Sequence, residues 1–332
     1  MSDAPKKIFR CPHCGHTPEI NVDEATVCPK CGKLSTPKRL DFRTIERPLE
    51  ELLISIENLI EREVIKRIPN HPDTVMYLDA SFRLARNTFD SIRYLCADKA
   101  GPSGDLPRPE FCLSAAPLAR TILDTIMTLI FLFEDLLPRW DWFLRTGWRE
   151  MKIDYDQTVV DFGHLETWKP FLRLVESMVA AGIPALGLTQ EQVNNPRKGI
   201  PKWPNPGQMP GYGDKSSQAL PSRIFLKSLN HTFYADLSQQ SHLSAMGVGK
   251  RGTYLLTDSG LSSDERRDNL RGYVADQIFL TVTLLLILSS VFDERFELGL
   301  DERIRPLWDT IGRYWDPAQI LYQTRYDRPL FA

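Results

Sequence analysis

The stretch FCLSAAPLARTILDTIMTLIFLFEDLL, residues 111 to 137, decides the fold of this chain. It is apolar on nearly every side at helical spacing, and such a helix has to be buried on most of its surface. Pro117 marks its start or a kink. A second run, IFLTVTLLLILSSVF at 278–292, carries no charge but is shorter than the ~20 residues that a membrane span requires. It predicts a central core helix.

The rest of the chain from residue 43 onward also has the period of helices. Leu49, Leu52, Leu53, Ile56, Leu59, Ile60 and Val64 recur at helical spacing and predict an amphipathic helix that ends near Pro69. Further helices are expected at about 73–97, 110–136, 139–161, 165–181, 222–246, 264–293 and 301–314. The sequence therefore predicts a mainly α protein, with an α-helical bundle over 43–332.

One internal segment departs from this pattern. Residues 193–221, VNNPRKGIPKWPNPGQMPGYGDKSSQALP, hold six prolines and four glycines and are not expected to form a regular element. Loops of this length are usually functional or disordered.

Four of the six cysteines lie near the N-terminus as two Cys-Pro-x-Cys-Gly pairs. Cys11, Cys14, Cys28 and Cys31 have the spacing C-x2-C-x13-C-x2-C, which is typical of a tetrahedral Zn²⁺ site. EINV and ATV between the pairs suggest a short β-hairpin. Four thiolates fill the coordination shell, so the predicted zinc is structural, with one ion per chain.

Residues 8–36 resemble a zinc ribbon, which places a small module at 1–42 before the helical domain. A module of ~40 residues cannot build a sufficient core, so the metal has to supply folding energy. The module is mildly basic, and contact with a protein or a nucleic acid is expected alongside the simpler interpretation of a solvated surface.

Composition narrows the class of protein. A net charge of −2 argues against a strongly basic protein that coats nucleic acid, while local basic patches remain open. The N-terminus MSDAPKKIFR lacks the apolar run of a signal peptide, so a cytoplasmic location without a membrane is expected. Cys96 and Cys112, in apolar helical text, are expected to be buried free thiols.

Two helices carry polar residues on otherwise apolar surfaces. Arg120 and Asp124 lie one turn apart, which predicts an internal ion pair or, alternatively, an arginine that binds an anion in a cavity. In LNHTFYADLSQQSHLSAMG, residues 229–247, a regular helix would align His231, Ala235, Ser238, His242 and Ala245 on one stripe. A hydrogen-bonded core histidine is the simpler interpretation of that stripe.

The two helices together resemble a bacterial helical family of unknown function. The matching elements are Arg120-Thr-Ile-Leu123-Asp124 and Tyr234-Ala-Asp-Leu-Ser238-Gln-Gln-Ser-His242, within about 75–295 without the proline-rich segment. That family is similar in outline to HEPN-type helical proteins, several of which are ribonucleases in bacterial antiviral and toxin systems. The resemblance implies Arg120, Asp124, Ser238 and His242 as catalytic residues.

This chain departs from the HEPN pattern, in which a histidine follows an arginine by about five to seven positions. Arg86-Asn87 begins such a pattern, but no histidine follows. Activity would require the fold to bring Arg120 and His242 together.

Two functions therefore stay open. One is a zinc-ribbon helical binding protein of a bacterial defence or regulatory system, which docks a protein or nucleic acid through the ribbon and the basic segment 197–203. The other is a metal-independent ribonuclease, with histidine as acid/base and arginine stabilising the phosphorane. The sequence decides neither enzyme activity nor self-association. Trp140, Trp142, Phe143 and Trp148 are expected in the core, with base stacking as the alternative.

Overall fold

The computed structural model describes residues 6–8, 19–21, 43–96, 109–213, 215–241 and 263–331. These residues are mainly helical, which confirms the prediction of a mainly α protein. Two short strands, β1 (Lys6–Ile8) and β2 (Glu19–Asn21), pair antiparallel with Lys6 opposite Asn21. The predicted hairpin partner at 25–27 lies outside the described residues.

Thirteen α-helices are described in chain order. They are α1 (Arg43–Leu59), α2 (Ile65–Arg67), α3 (Pro72–Cys96), α4 (Ala115–Phe133), α5 (Leu136–Phe162), α6 (Lys169–Ala185), α7 (Gln190–Asn194), α8 (Pro196–Gly199), α9 (Pro221–Leu229), α10 (Ala235–Ser241), α11 (Ser263–Phe296), α12 (Asp301–Gly312) and α13 (Asp316–Tyr326). A π-helical turn, Ile60–Val64, joins α1 to α2, and another, Asn230–Tyr234, joins α9 to α10.

The chain divides into two compact units. The first contains 1–126 and 228–330, and the second contains 127–227. The sequence analysis did not predict this division within the helical body.

The first unit is organised around α11. Leu284 to Leu288 and Val291 are fully buried, as the uncharged run predicts. α11 packs against α3 and α12, and the Phe82 and Phe292 rings meet edge to face with centroids 5.5 Å apart. The predicted apolar stripe of α1 is buried at every position except the half-buried Leu59.

Among the described residues, two helical stretches are long and apolar enough to cross a membrane by length and composition, Phe111–Phe133 and Gly272–Phe296. Of the most apolar 18-residue window in each, 61% and 72% respectively is buried within the protein. Such burial is typical of core helices, as predicted for 278–292.

The second unit contains the antiparallel pair α5 and α6. Trp148 of α5 packs with Val179 of α6, and its Nε1 donates to the Val179 carbonyl at 2.9 Å. Gly182 permits this contact because a Cβ there would lie 2.4 Å from Trp148 Cδ1. Ile200, directly after α8, completes the cluster.

The proline-rich segment contains more regular structure than expected. It includes α8 and two 3₁₀ helices, Pro206–Gly211 and Ser217–Ala219. Asn205 caps the first of these in a reciprocal capping box with Gln208. The expectation that 193–221 would hold no regular element is therefore wrong, because prolines are tolerated in the first turn of a helix.

Candidate functional site

Arg120 and Asp124 form the predicted ion pair on α4. Arg120 Nε donates to Asp124 Oδ1 at 2.8 Å. The pair is not interior, however, because 13% of the Arg120 side chain and 38% of the Asp124 side chain are exposed to solvent. The expectation of an internal pair is correct for the arginine but not for the carboxylate.

Arg120 has a second contact, with the other motif helix. Its guanidinium carbon lies 3.7 Å from the ring centroid of Tyr234, at the end of the π turn before α10. This distance is within the range of a cation–π interaction. Arg120 Nη1 is buried and has no hydrogen-bond partner among the residues that the structure describes. The guanidinium is therefore held by the hydrogen bond from Nε and by the Tyr234 ring against one of its faces.

The environment of Asp124 disfavours its charged form. Burial raises the pKa of the Asp124 carboxyl, and the hydrogen bond and charge of Arg120 lower it by less. The carboxylate therefore positions the guanidinium at some cost to folding.

The predicted histidine stripe differs from the structure. Asn230–Tyr234 is a π turn, so residues on either side of it do not follow one regular α-helical stripe. His231 is exposed and Ser238 is half-buried. His242 lies outside the described residues, and the catalytic roles of Arg120, Asp124, Ser238 and His242 stay predictions.

The four predicted zinc ligands, Cys11, Cys14, Cys28 and Cys31, also lie outside the described residues. Within the described ranges, no group of three or more His, Cys, Asp and Glu side chains could hold a metal ion. Cys96 and Cys112 form no disulfide, as expected. Cys112 is buried as predicted, whereas Cys96 is only half-buried. Burial raises the pKa of the Cys96 thiol to about 12, which keeps it protonated.

The basic segment 197–203 is fixed on α5. The Pro201 carbonyl accepts hydrogen bonds from Trp142 Nε1 and Thr146 Oγ1, both at 3.0 Å. Arg197, Lys198 and Lys202 are exposed. The segment therefore presents three cations from an anchored backbone.

An aromatic cluster lies beneath this segment, and the sequence analysis identified only part of it. Its five members are Phe131, Trp142, Phe143, Trp203 and Tyr212. Trp203 contacts Trp142 with centroids 4.8 Å apart and Phe131 at 5.1 Å, and Tyr212 contacts Trp142 at 5.3 Å. Trp140 and Trp148 are buried, as expected for core residues, while Trp142 and Phe143 are half-buried.

A buried charge network supports the cluster from the Phe131 side. The Glu134 carboxylate pairs with Arg223 at 2.6 Å and with Arg139 at 2.5 Å, and it accepts a hydrogen bond from Ser222 at 2.7 Å. The guanidinium carbons of Arg139 and Arg223 lie 4.0 Å and 4.5 Å from the Phe131 ring centroid. Burial lowers the pKa of Arg223, and the Glu134 charge opposes that shift.

Sequence reasoning missed this network. Arg139 follows Glu134 by five positions, which gave a weak local signal, whereas Arg223 comes from another helix far along the chain. The buried Arg223 and the half-buried Arg139 share one carboxylate, so the three groups together carry one excess positive charge.

Comparisons with known proteins do not assign this chain to a family or functional class. No family model, no curated protein and no solved structure matches this chain. The site geometry is therefore the basis for any functional conclusion.

Proposed function

We propose that this chain is a zinc-ribbon-containing helical binding protein that docks a protein or a nucleic acid, in a bacterial defence or regulatory system. One observation carries the proposal, namely the basic segment 197–203, whose cations are exposed on an anchored backbone. The ribbon at 1–42, with Zn²⁺ on Cys11, Cys14, Cys28 and Cys31, would be a second docking module.

The basic segment differs from the cations of α5 because it groups three exposed cations without a carboxylate partner within six positions, 197–202. Along α5, Arg139, Arg145, Arg149 and Lys152 each pair with a carboxylate. Arg197, Lys198 and Lys202 have no carboxylate within 4.0 Å in the part of the chain that the structure describes. Unpaired cations on a fixed surface are available to an anionic partner, since no internal pair has to be broken first.

The geometry around Arg120 favours binding over catalysis. A ribonuclease would need the guanidinium to reach a phosphorane oxygen. In this fold Arg120 Nε donates a hydrogen bond to Asp124, and the Tyr234 ring covers one face of the guanidinium. Nη1 is shielded from solvent. These contacts give Arg120 a role in holding α4 against the π turn.

The proposal is tested by removing the unpaired cations. We expect the triple variant Arg197→Gln, Lys198→Gln, Lys202→Gln to lose binding to the partner that wild type captures. For a single-stranded nucleic acid partner, the slope of log affinity against log salt concentration should fall by about 2, since ~0.7 counterions are released per phosphate contact. Pulldown from the native host, with RNA and protein both identified, names the partner.

The matched control removes three other exposed cations that have no carboxylate within 4.0 Å among the described residues, Arg62, Arg173 and Lys227, in one Gln variant with the same charge change. Equal loss of binding in both variants would mean that only net charge matters, and the assignment to 197–203 would be wrong. Cleavage of a mixed single-stranded RNA pool by wild type, lost in a folded His242→Ala variant, would overturn the proposal in favour of the ribonuclease.

A further inference from the structure

A cavity of about 470 Å³ opens beside the basic segment. It is lined by Lys202, Trp203, Gln208 and Tyr212, together with Gly207 and Gly211. The volume is within the range of small-molecule sites. Tyr212 is 39% exposed, so part of its ring is accessible.

The walls of the cavity are preorganised. Trp203 packs against Phe131, Trp142 and Phe143, which fixes the orientation of its indole. The capping box of Asn205 and Gln208 orders the turn that crosses the cavity. A flat ligand would meet aromatic walls that are already in place, so little side-chain ordering would oppose its binding.

Trp203 also carries a buried donor that the protein does not satisfy. Its Nε1 is shielded from solvent and has no acceptor among the described residues. A buried N–H without a partner is unfavourable, and buried polar groups are normally paired. Because Nε1 is shielded from solvent, it is also out of reach of a ligand in the open cavity, which would meet the ring of the indole instead.

The electrostatics of the same region favour an anion. Lys202 lines the cavity, and Arg197 and Lys198 lie just before it in the chain. Beneath the aromatic cluster, Arg139 and Arg223 share the single carboxylate of Glu134. Aromatic rings beside unpaired cations are the combination that binds single-stranded nucleic acids, with bases stacked and phosphates neutralised.

We infer that this cavity is a base-binding pocket for single-stranded nucleic acid. One base stacks on Tyr212 and Trp203, and the flanking phosphates contact Lys202 and the cations before it. The inference rests on the proposed binding function and narrows its partner to a strand with unpaired bases. A protein partner is the competing outcome.

The test separates stacking from charge. Binding of a 12-nucleotide single strand is compared with binding of an abasic strand of equal length and charge, by fluorescence anisotropy with unlabelled protein. We expect the abasic strand to bind between about 5- and 140-fold more weakly, which is the usual range for loss of a stacked base. Tyr212→Leu should weaken binding of the intact strand by a similar factor and leave the abasic strand unaffected.

Two variants control for folding and for general aromatic loss. Tyr212→Phe keeps the ring and should bind like wild type. Phe171→Leu removes another exposed aromatic side chain of the second unit and should have no effect. Thermal melts of each variant check that the fold persists.

The outcomes distinguish the pocket from the docking function. Equal binding of intact and abasic strands, with loss in the triple cation variant, would overturn the pocket and leave the docking proposal in place. Capture of an identified protein through 197–203, with no binding of either strand, would overturn the base-binding pocket and leave the docking proposal in place. No effect of the cation variant on any bound partner would overturn both.

Discussion

Replacing Arg120 by methionine keeps an apolar stem and removes the guanidinium. We expect the variant to unfold more easily by about 1–2 kcal/mol. An ion pair whose carboxylate is this exposed contributes up to ~1 kcal/mol, and a cation–π contact contributes ~0.5–2 kcal/mol according to its burial. The loss is partly offset because the unpartnered Nη1 is no longer buried.

Urea unfolding followed by far-UV circular dichroism measures this difference, provided that the m-value does not change. Arg120→Lys is the matched control, because it keeps the charge near Asp124 but loses the planar contact with Tyr234. We expect its free energy of unfolding to lie between that of wild type and that of Arg120→Met. A loss of ~3–5 kcal/mol in Arg120→Met would show an interior ion pair and refute this reasoning. No measurable loss would show that neither contact stabilises the fold.

Three further predictions concern Asp124, Glu134 and the metal. Burial raises the folded-state pKa of Asp124 above its usual 3.8, so the protonated carboxyl stabilises the fold fully below pH 3.8, and this stabilisation is lost as pH rises through the folded-state pKa. Asp124→Asn should therefore flatten the dependence of the free energy of unfolding on pH in that window. Urea unfolding at several pH values measures it. Glu134→Gln should lower the free energy of unfolding by ~3–5 kcal/mol, since Arg139 and Arg223 lose their shared carboxylate. A urea midpoint equal to that of the control Glu150→Gln would contradict the network. Elemental analysis should find one zinc per chain in protein never exposed to chelator, and less than half an equivalent would contradict the four-cysteine site.

The helical elements could largely be predicted from the sequence, because burial of one face imposes a period that the residues display. The α1 stripe and the uncharged centre of α11 are buried as their patterns predict. No helix was predicted at α13, although Pro317 in its first turn, after Asp316, is a helix-start signal. The capping boxes Thr189-x-x-Gln192 and Asn205-x-x-Gln208 likewise indicate the starts of short helices in and just before the proline-rich segment.

The candidate sites could be predicted only where their members are close in sequence. Arg120 and Asp124 are one helical turn apart, and periodicity alone suggests their pairing. Glu134 and Arg223 meet through tertiary packing, which no local pattern encodes. The same holds for Trp203 and Tyr212, which look like isolated aromatic residues in a loop until the fold brings both onto Trp142.

The π turn at Asn230–Tyr234 changes how tolerance to substitution should be distributed along this helical stretch. Such a turn holds one residue more than an α-helical turn, and one residue corresponds to about 100° of rotation around the axis. In a deep mutational scan, the intolerant positions of α9 and those of α10 would each recur every three to four residues, but the two series would be out of phase. A scan fitted with a single period across 221–241 would assign Leu237 or Phe233 to the wrong face, although both are buried.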